Sequence, residues 1–564
     1  MRQSRCLLPT LRLSGLLLSV LLLGVSGAKP MAPVHRARSV AAARQEPAAE
    51  TITYDVTPQI GANPPVLQVA MRFAWTGGPE QIAVQMPVWS PGDYHIQNHA
   101  RYVRNLRAWA GSPAEGRALA VSHTDANTWQ IDPGGARQVT LTYALPETPP
   151  GIFCANVLLR PRYAFYNGPA VYLYRVGQKE APSILHLHLP PGWQAETPLE
   201  RRAAPASEGL AFAAPNYDTL ADSPVVMGDA ETLSADEFEL QDVPHRVVFY
   251  GEPGGAPDVE AALPLLRRIV QTEAGIMGGM PYARYDFLFY RNGGGEAGLE
   301  HLNACHITLW PGARLREIPP MAAHEFFHLW NVKRIRPLVL GPFDYIHPPR
   351  TRNLWFCEGV TEYYARIALR RSGLIGEEEF LDHWREAIRA LQSNPARLKV
   401  TADEASWRVW EEGQSRGYGG LDYYAKGELI GLCLDLKIRG ITGNQRSLDD
   451  VMRYLLRRYG LPKPGYGEDG LREAVSAVAG QDLSAFYDRL ARSTQEMPFA
   501  ECLAYAGLTP RLTPLRNATP AQAALRASWM AATLEALGKR KKGDRNGLAA
   551  RAASSRHLLK GERP

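Results

Sequence analysis

Cysteine is scarce in this chain of 564 residues: there are six, and none stands in CxxC spacing. That argues against a thiolate metal site and against a dense disulfide framework, while leaving room for one or two disulfides in an oxidising compartment. Long apolar runs are equally rare. Apart from the N-terminus, no stretch approaches the roughly 20 residues needed to cross a bilayer, so a membrane bundle does not fit. No GxSxG elbow is present and no cysteine sits in a setting that marks a nucleophile, so covalent catalysis has no candidate. The run Gly293-Gly294-Gly295 is followed neither by Lys-Ser/Thr nor by an opening helix, and reads as a turn, not a phosphate cradle. There is no internal repeat. An excess of one charge is also missing, except at the C-terminal end. The formal net charge is +6, yet Lys539 to Pro564 carries nine Lys/Arg against two acidic residues, a local +7 that leaves about −1 for everything before it. A body so close to neutral offers no electrostatic footprint for nucleic acid.

What is present is a globular composition, 45% hydrophobic and 21% charged, long enough for two to four folded units. Arg2, Arg5 and Arg12 precede an apolar run from Leu13 to Val25, and Ser26 and Ala28 follow as small residues. This order predicts a signal peptide over 1–28 and an exported protein, periplasmic or secreted, whose mature chain is not inserted in a membrane. Residues 29–50, rich in Ala, Arg and Pro, read as a linker. From Thr51 the pattern alternates: Leu67, Val69, Met71 and Phe73 face one way, and Val139, Leu141 and Tyr143 repeat the scheme. Turn signals such as Ser90-Pro91-Gly92 separate these runs, which predicts an all-β domain over 51–240. Beyond it, Pro257 to Ile276 has helical periodicity, and Phe287–Tyr290 and His306–Trp310 read as short strands. Helices then dominate: Glu377 to Leu391, Lys426 to Ile438, and Ser447 to Arg458, the last opened by a capping box of Ser447 and Asp450. The fold class is therefore α+β and multidomain, with an N-terminal all-β domain, a catalytic unit over 241–400 and a helical domain over 401–508. Residues 509–564 are basic, poor in apolar periodicity, and expected to be a disordered tail.

The chemistry starts at His324-Glu325-Phe326-Phe327-His328. Pro319-Pro320 suits a first helical turn, and Met321 to Val332 continues it. Positions i and i+4 share a helix face, so both imidazoles reach one metal, and Glu325 beside the first can hold and deprotonate a water there. A catalytic zinc takes three protein ligands and keeps one open position. Leu354-Trp355-Phe356-Cys357-Glu358-Gly359 offers a carboxylate in an apolar setting, Tyr423-Tyr424-Ala425-Lys426-Gly427 a phenol for an oxyanion, and Gly298-Leu299-Glu300-His301 an acid between two strands.

Taken together, HEFFHLWNVKRIRP, LWFCEG followed by TEYY, YYAKG and GLEH resemble the glycyl aminopeptidase family of zinc peptidases, and MPVWSPGDYHI resembles that family's N-terminal β-domain. The likeness covers roughly residues 51 to 508. It implies a thermolysin-like catalytic domain, related to the alanyl and leucyl aminopeptidases. It also implies one zinc ion per chain on His324, His328 and Glu358. By the same resemblance Glu325 is the general base, Tyr424 stabilises the tetrahedral intermediate, and Glu300 binds the free α-amino group of a peptide substrate. His301 stands where the larger relatives have Asn and is assigned either to substrate contact or to strand packing. Small first residues, Gly and Ala, are the expected preference. Members commonly carry a PDZ domain after the helical region; the 56 residues after Leu508 are too few and too basic for one.

Other signals have plainer readings. His186 and His188 alternate on a strand and are taken as its solvent face, since no acidic third ligand adjoins them in sequence. Glu362 either orients a ligand histidine or is a solvated helix charge. Lys333, Arg334 and Arg336 pair either with buried acids or with a peptide carboxylate. Two rival functions remain from the sequence: an endopeptidase of the same fold, with Glu300 only structural, and an inactive exported binding or scaffold protein.

Overall fold

In the computed structural model, which describes residues 51–531 apart from 79, 151–154, 253, 255, 256, 296 and 412, the period-two segments form strands. The signal peptide, the linker and residues 532–564 lie outside the described residues. Ile52–Gln59, Val66–Ala74 and Gln138–Pro146 sit in the middle of an eight-stranded sheet. Leu67, Val69, Met71 and Phe73 all point into its core, as do Val139, Leu141 and Tyr143. Two four-stranded sheets complete the N-terminal domain. Ile52–Gln59 pairs in parallel with Ser183–Leu187, which sets Asp55 opposite His186. The two histidines therefore do have an acidic neighbour: His188 Nε2 lies 3.0 Å and His186 Nδ1 3.6 Å from Asp55 Oδ1. Asp55 is in turn paired with Arg72 at 2.6 Å, and among the described residues these three do not converge as a metal group.

The expected boundary at 240 falls earlier. Leu233–Leu240 pairs with Val243–Tyr250 and belongs to the next sheet. That five-stranded sheet runs in the order Leu233–Leu240, Val243–Tyr250, Tyr285–Tyr290, Ala304–Thr308, Ala297–Glu300. The three middle strands are parallel, and Ala297–Glu300 closes the edge antiparallel to Ala304–Thr308. Both sequence-predicted strands begin two residues sooner than expected, and the short edge strand, four residues long with a glycine inside it, carries no strand pattern of its own. The helix Val259–Met277 covers the sheet, with Asp258 capping it through the Ala261 N–H at 2.8 Å. No helix among the described residues is long and apolar enough to cross a membrane.

Most buried apolar side chains from Phe238 to Met530 belong to one cluster that runs across residue 400, so the expected division there marks a change of secondary structure within a shared core. The predicted helices appear as Glu377–Ser393, Tyr423–Ile441 and Leu448–Tyr459, the last with the Ser447–Asp450 capping box formed. A disordered tail from 509 does not hold for its first part. Thr519 and Gln522 close a second capping box around Pro520 and start the helix Pro520–Met530. Its Trp529 is fully buried, donates Nε1–H to the Tyr363 hydroxyl at 3.1 Å, and meets Phe380 edge-on at 5.0 Å. Removing so large a buried side chain costs about 3–5 kcal/mol. Denaturant unfolding of Trp529→Ala should show that loss; a change within experimental error would mean the helix is not docked.

Candidate metal centre and its cavity

The helix Ile318–Phe327 carries His324 and Glu325 into the space below the edge strand, and His328 stands at its C-cap. It stops there instead of running on to Val332. Past His328 the chain turns so that the Asn331 carbonyl accepts the His328 Nδ1–H at 2.7 Å. The Asn331 amide meanwhile donates to Phe356 O at 2.8 Å and to Thr361 Oγ1 at 3.2 Å. Beyond this point the backbone bonding is irregular, with the Val332 and Lys333 N–H groups both reaching His328 O and those of Arg334 and Ile335 both reaching Trp330 O.

Glu358 lies in a π-helical turn, Trp355–Val360, that leads into the helix Thr361–Arg371. Such single wide turns are rare and cluster at functional sites. The following glycine is required by a close crossing: a Cβ on Gly359 would fall 2.4 Å from the Cα of Gly427. That approach of the helix Tyr423–Ile441 brings Tyr424 to the rim of the site.

His324 Nε2 and His328 Nε2 are 3.0 Å apart, and Glu358 Oε2 lies 3.3 Å from the second and 3.7 Å from the first. A tetrahedral zinc with ligand distances of roughly 2.0–2.1 Å has edges of about 3.3 Å, so the triangle matches. Both far nitrogens are spoken for: His324 Nδ1–H donates to Glu362 Oε2 at 2.8 Å, and His328 Nδ1–H to Asn331 O. Each Nε2 lone pair therefore faces inward. Glu362 is thus the acceptor that orients a histidine, not a solvated charge. Burial alone would push the Glu358 carboxyl up, but the two imidazoles overcome it and hold it well below the usual carboxylate range. These residues fit a zinc ion by donor type, spacing and orientation.

The metal group opens into a cavity of about 210 Å³ lined by Gly298, Glu300, His324, Glu325, Glu358 and Tyr424 among others. Burial, with help from Glu300 and Glu358, raises the Glu325 carboxyl to about 7 against the opposing pull of the two histidines. The edge strand sits directly on it, since a Cβ at Gly298 would come within 2.1 Å of Glu325 Oε1. Oε2 of Glu325 and Oε1 of Glu300 are buried without a hydrogen-bond partner from the protein. Glu300, Glu325 and His328 also converge to within 4.8 Å, a second group of ligand-type atoms facing the same space. The Tyr424 phenol is pushed well above 10, by burial first and by Glu358 and Tyr423 next, and so remains a donor. The Arg416 guanidinium covers its ring at 4.0 Å.

His301 does not line this cavity. It packs away from it, 3.2 Å from Asp222 Oδ1, which also takes Lys333 Nζ at 2.9 Å, while Asp222 Oδ2 accepts the Leu302 N–H at 2.8 Å. Lys333 is thus paired with a buried acid. Arg334 donates to the carbonyls of Leu302 and Leu329 and to Asn303 Oδ1. Asp93 and Tyr94 have no role that the sequence assigns, although they stand in the SPGDY segment; both line the cavity. Burial raises the Asp93 carboxyl to about 7 despite its bond from Gln97.

Two family models match the chain: the M61 glycyl aminopeptidase over residues 319–430 and the peptidase M61 N-terminal domain over 53–229. The second ends just before Leu233, where the sheets change. A search of the curated proteins gives no match. Among solved structures, an aminopeptidase N family protein from Idiomarina loihiensis is 26% identical, with 81% of this chain and 78% of that one aligned and a TM-score of 0.74. A mutant M1 zinc metallopeptidase from Deinococcus radiodurans bound to a Tyr-Ser-Ala substrate aligns over 80% of this chain and 95% of its own, at 14% identity and a TM-score of 0.50, a likeness of fold alone. With its N-terminal domain and the region of the metal group matched by that family's own domains, the chain belongs to the M61 glycyl aminopeptidase family and is a zinc metallopeptidase of the aminopeptidase kind.

Proposed function

We propose that this protein is an exported aminopeptidase that removes the first residue of peptides, with Gly and Ala as the preferred residues and one zinc ion held by His324, His328 and Glu358. The observation that carries the reading is the position of Glu300: a buried carboxylate with one oxygen unpartnered, on an edge strand, in the same cavity as Glu325. A free α-ammonium is the natural partner for it, by a charge-assisted hydrogen bond. The outer edge of Ala297–Glu300 is available for a peptide to lie along as an added strand. Zinc, when bound, supplies a Lewis acid that activates water and polarises the scissile carbonyl. Glu325 takes the proton during attack and passes it to the leaving amine. The Tyr424 hydroxyl donates to the carbonyl oxygen as charge grows on it. Because Glu300 holds the ammonium, the bond that reaches Glu325 is the first one. The small cavity accords with small first residues, and the basic-then-apolar N-terminal sequence supports export.

A second reading, a zinc endopeptidase, rests on a different observation. Beyond Glu300 lies a cavity of about 410 Å³, lined by Trp89, Leu302, Val332 and Phe343 among others, with Glu300, Gly92 and Tyr94 common to both spaces. It is roomy enough for residues preceding a cleaved bond. Glu300→Ala separates the two. Loss of a hydrogen bond to a charged group is worth about 1.5–3 kcal/mol, so kcat/KM on free peptides should drop roughly 10- to 100-fold, with N-acetylated peptides little changed. Equal losses on both would make Glu300 structural and leave the endopeptidase reading in its place.

A further inference from the structure

One segment of the N-terminal domain is buried in the core of the catalytic half. Val88, Trp89 and Tyr94 precede every residue of the metal group by more than two hundred positions, yet they are buried in the apolar cluster of the catalytic and helical region and not in that of their own sheets. Trp89 is fixed by its Nε1–H, which donates to Asp344 O at 2.8 Å. It packs edge-on against Trp410 at 5.4 Å, and Tyr94 meets the same indole at 6.1 Å. Held this way, Tyr94 directs its hydroxyl to Glu358 Oε1 at 3.0 Å, a buried bond between residues 264 positions apart. The other oxygen of that carboxylate, Oε2, is the one that faces both histidine nitrogens.

We infer that Tyr94 is a positioning residue for the metal: its hydroxyl holds one oxygen of Glu358 so that only the other is presented to zinc, and the N-terminal domain thereby completes the metal site. A buried carboxylate has two equivalent oxygens and rotates to expose either or both unless one is engaged. The histidine ligands have Glu362 and Asn331 O in this outer role; Tyr94 is the matching partner for the third ligand. Loss of such a partner typically weakens metal binding 10- to 100-fold. The inference rests on the zinc reading above but not on the choice of substrate.

The test is zinc affinity of the full chain, measured by competition with a chelator without any substrate. Tyr94→Phe keeps the ring against Trp410 and removes only the hydroxyl. Its zinc dissociation constant should rise roughly 10- to 100-fold, and the visible absorption of the cobalt-loaded variant should differ from that of the cobalt-loaded wild type, because the ligand carboxylate is free to turn. A dissociation constant within twofold of wild type, with an unchanged cobalt spectrum, overturns the inference, even where the zinc-free variant melts at a lower temperature. Wild-type protein that binds no zinc would overturn the metal reading itself, which a failure of Tyr94 alone does not.

Discussion

Glu325→Gln should keep its zinc and lose on the order of 10²–10⁴ in kcat, the usual contribution of a general base. The exchange conserves shape, so Gly298 still fits above it and the three metal ligands are untouched. What disappears is the ability to accept a proton. Its carboxyl, raised to about 7 by burial and by Glu300 and Glu358, lies near neutral pH, where a base combines the right protonation state with adequate driving force. Metal analysis and kcat on the same preparation check the expectation. Full zinc with unchanged kcat would remove Glu325 from the chemistry, whereas loss of zinc would make it a ligand.

His328→Ala should lose metal and activity together. The imidazole is 1% exposed, its Nε2 belongs to the ligand triangle, and its Nδ1–H is tied to the Asn331 carbonyl. Among the described residues, the neighbouring carboxylates Glu300 and Glu325 group with His328 itself and not with the pair His324 and Glu358 that would remain. With two ligands remaining, a structurally complete catalytic site no longer exists. Zinc per chain by elemental analysis decides. A variant that retains a full complement would show the ligand assignment to be wrong.

Features governed by local rules are legible in the amino-acid sequence. The i, i+4 spacing of His324 and His328 is a property of one helix turn, and the alternation Leu67, Val69, Met71, Phe73 a property of one strand, so both follow from sequence directly. Ser447 and Asp450 form the capping box they spell. The same motif at Thr519 and Gln522 is equally legible, but the Ala/Arg/Lys-rich composition around it points to disorder, and only the burial of Trp529 shows what that helix is for. Contacts across long separations are not legible. No window of sequence joins Tyr94 to Glu358, or Asn331 to the π-helical turn, because each depends on how distant segments dock. His301 illustrates the converse. Its place beside Glu300 in sequence suggests the cavity, yet the strand ends at Glu300 and His301, the next residue, faces Asp222 instead.

The most direct measurement compares kcat/KM for an alanine anilide and its N-acetyl counterpart, before chelation, after it, and after zinc is returned. A zinc aminopeptidase cleaves the free anilide, loses that activity with the metal, regains it with zinc, and acts far more slowly on the acetylated compound. Comparable rates on the two compounds, or cleavage that survives complete removal of the metal, would contradict it.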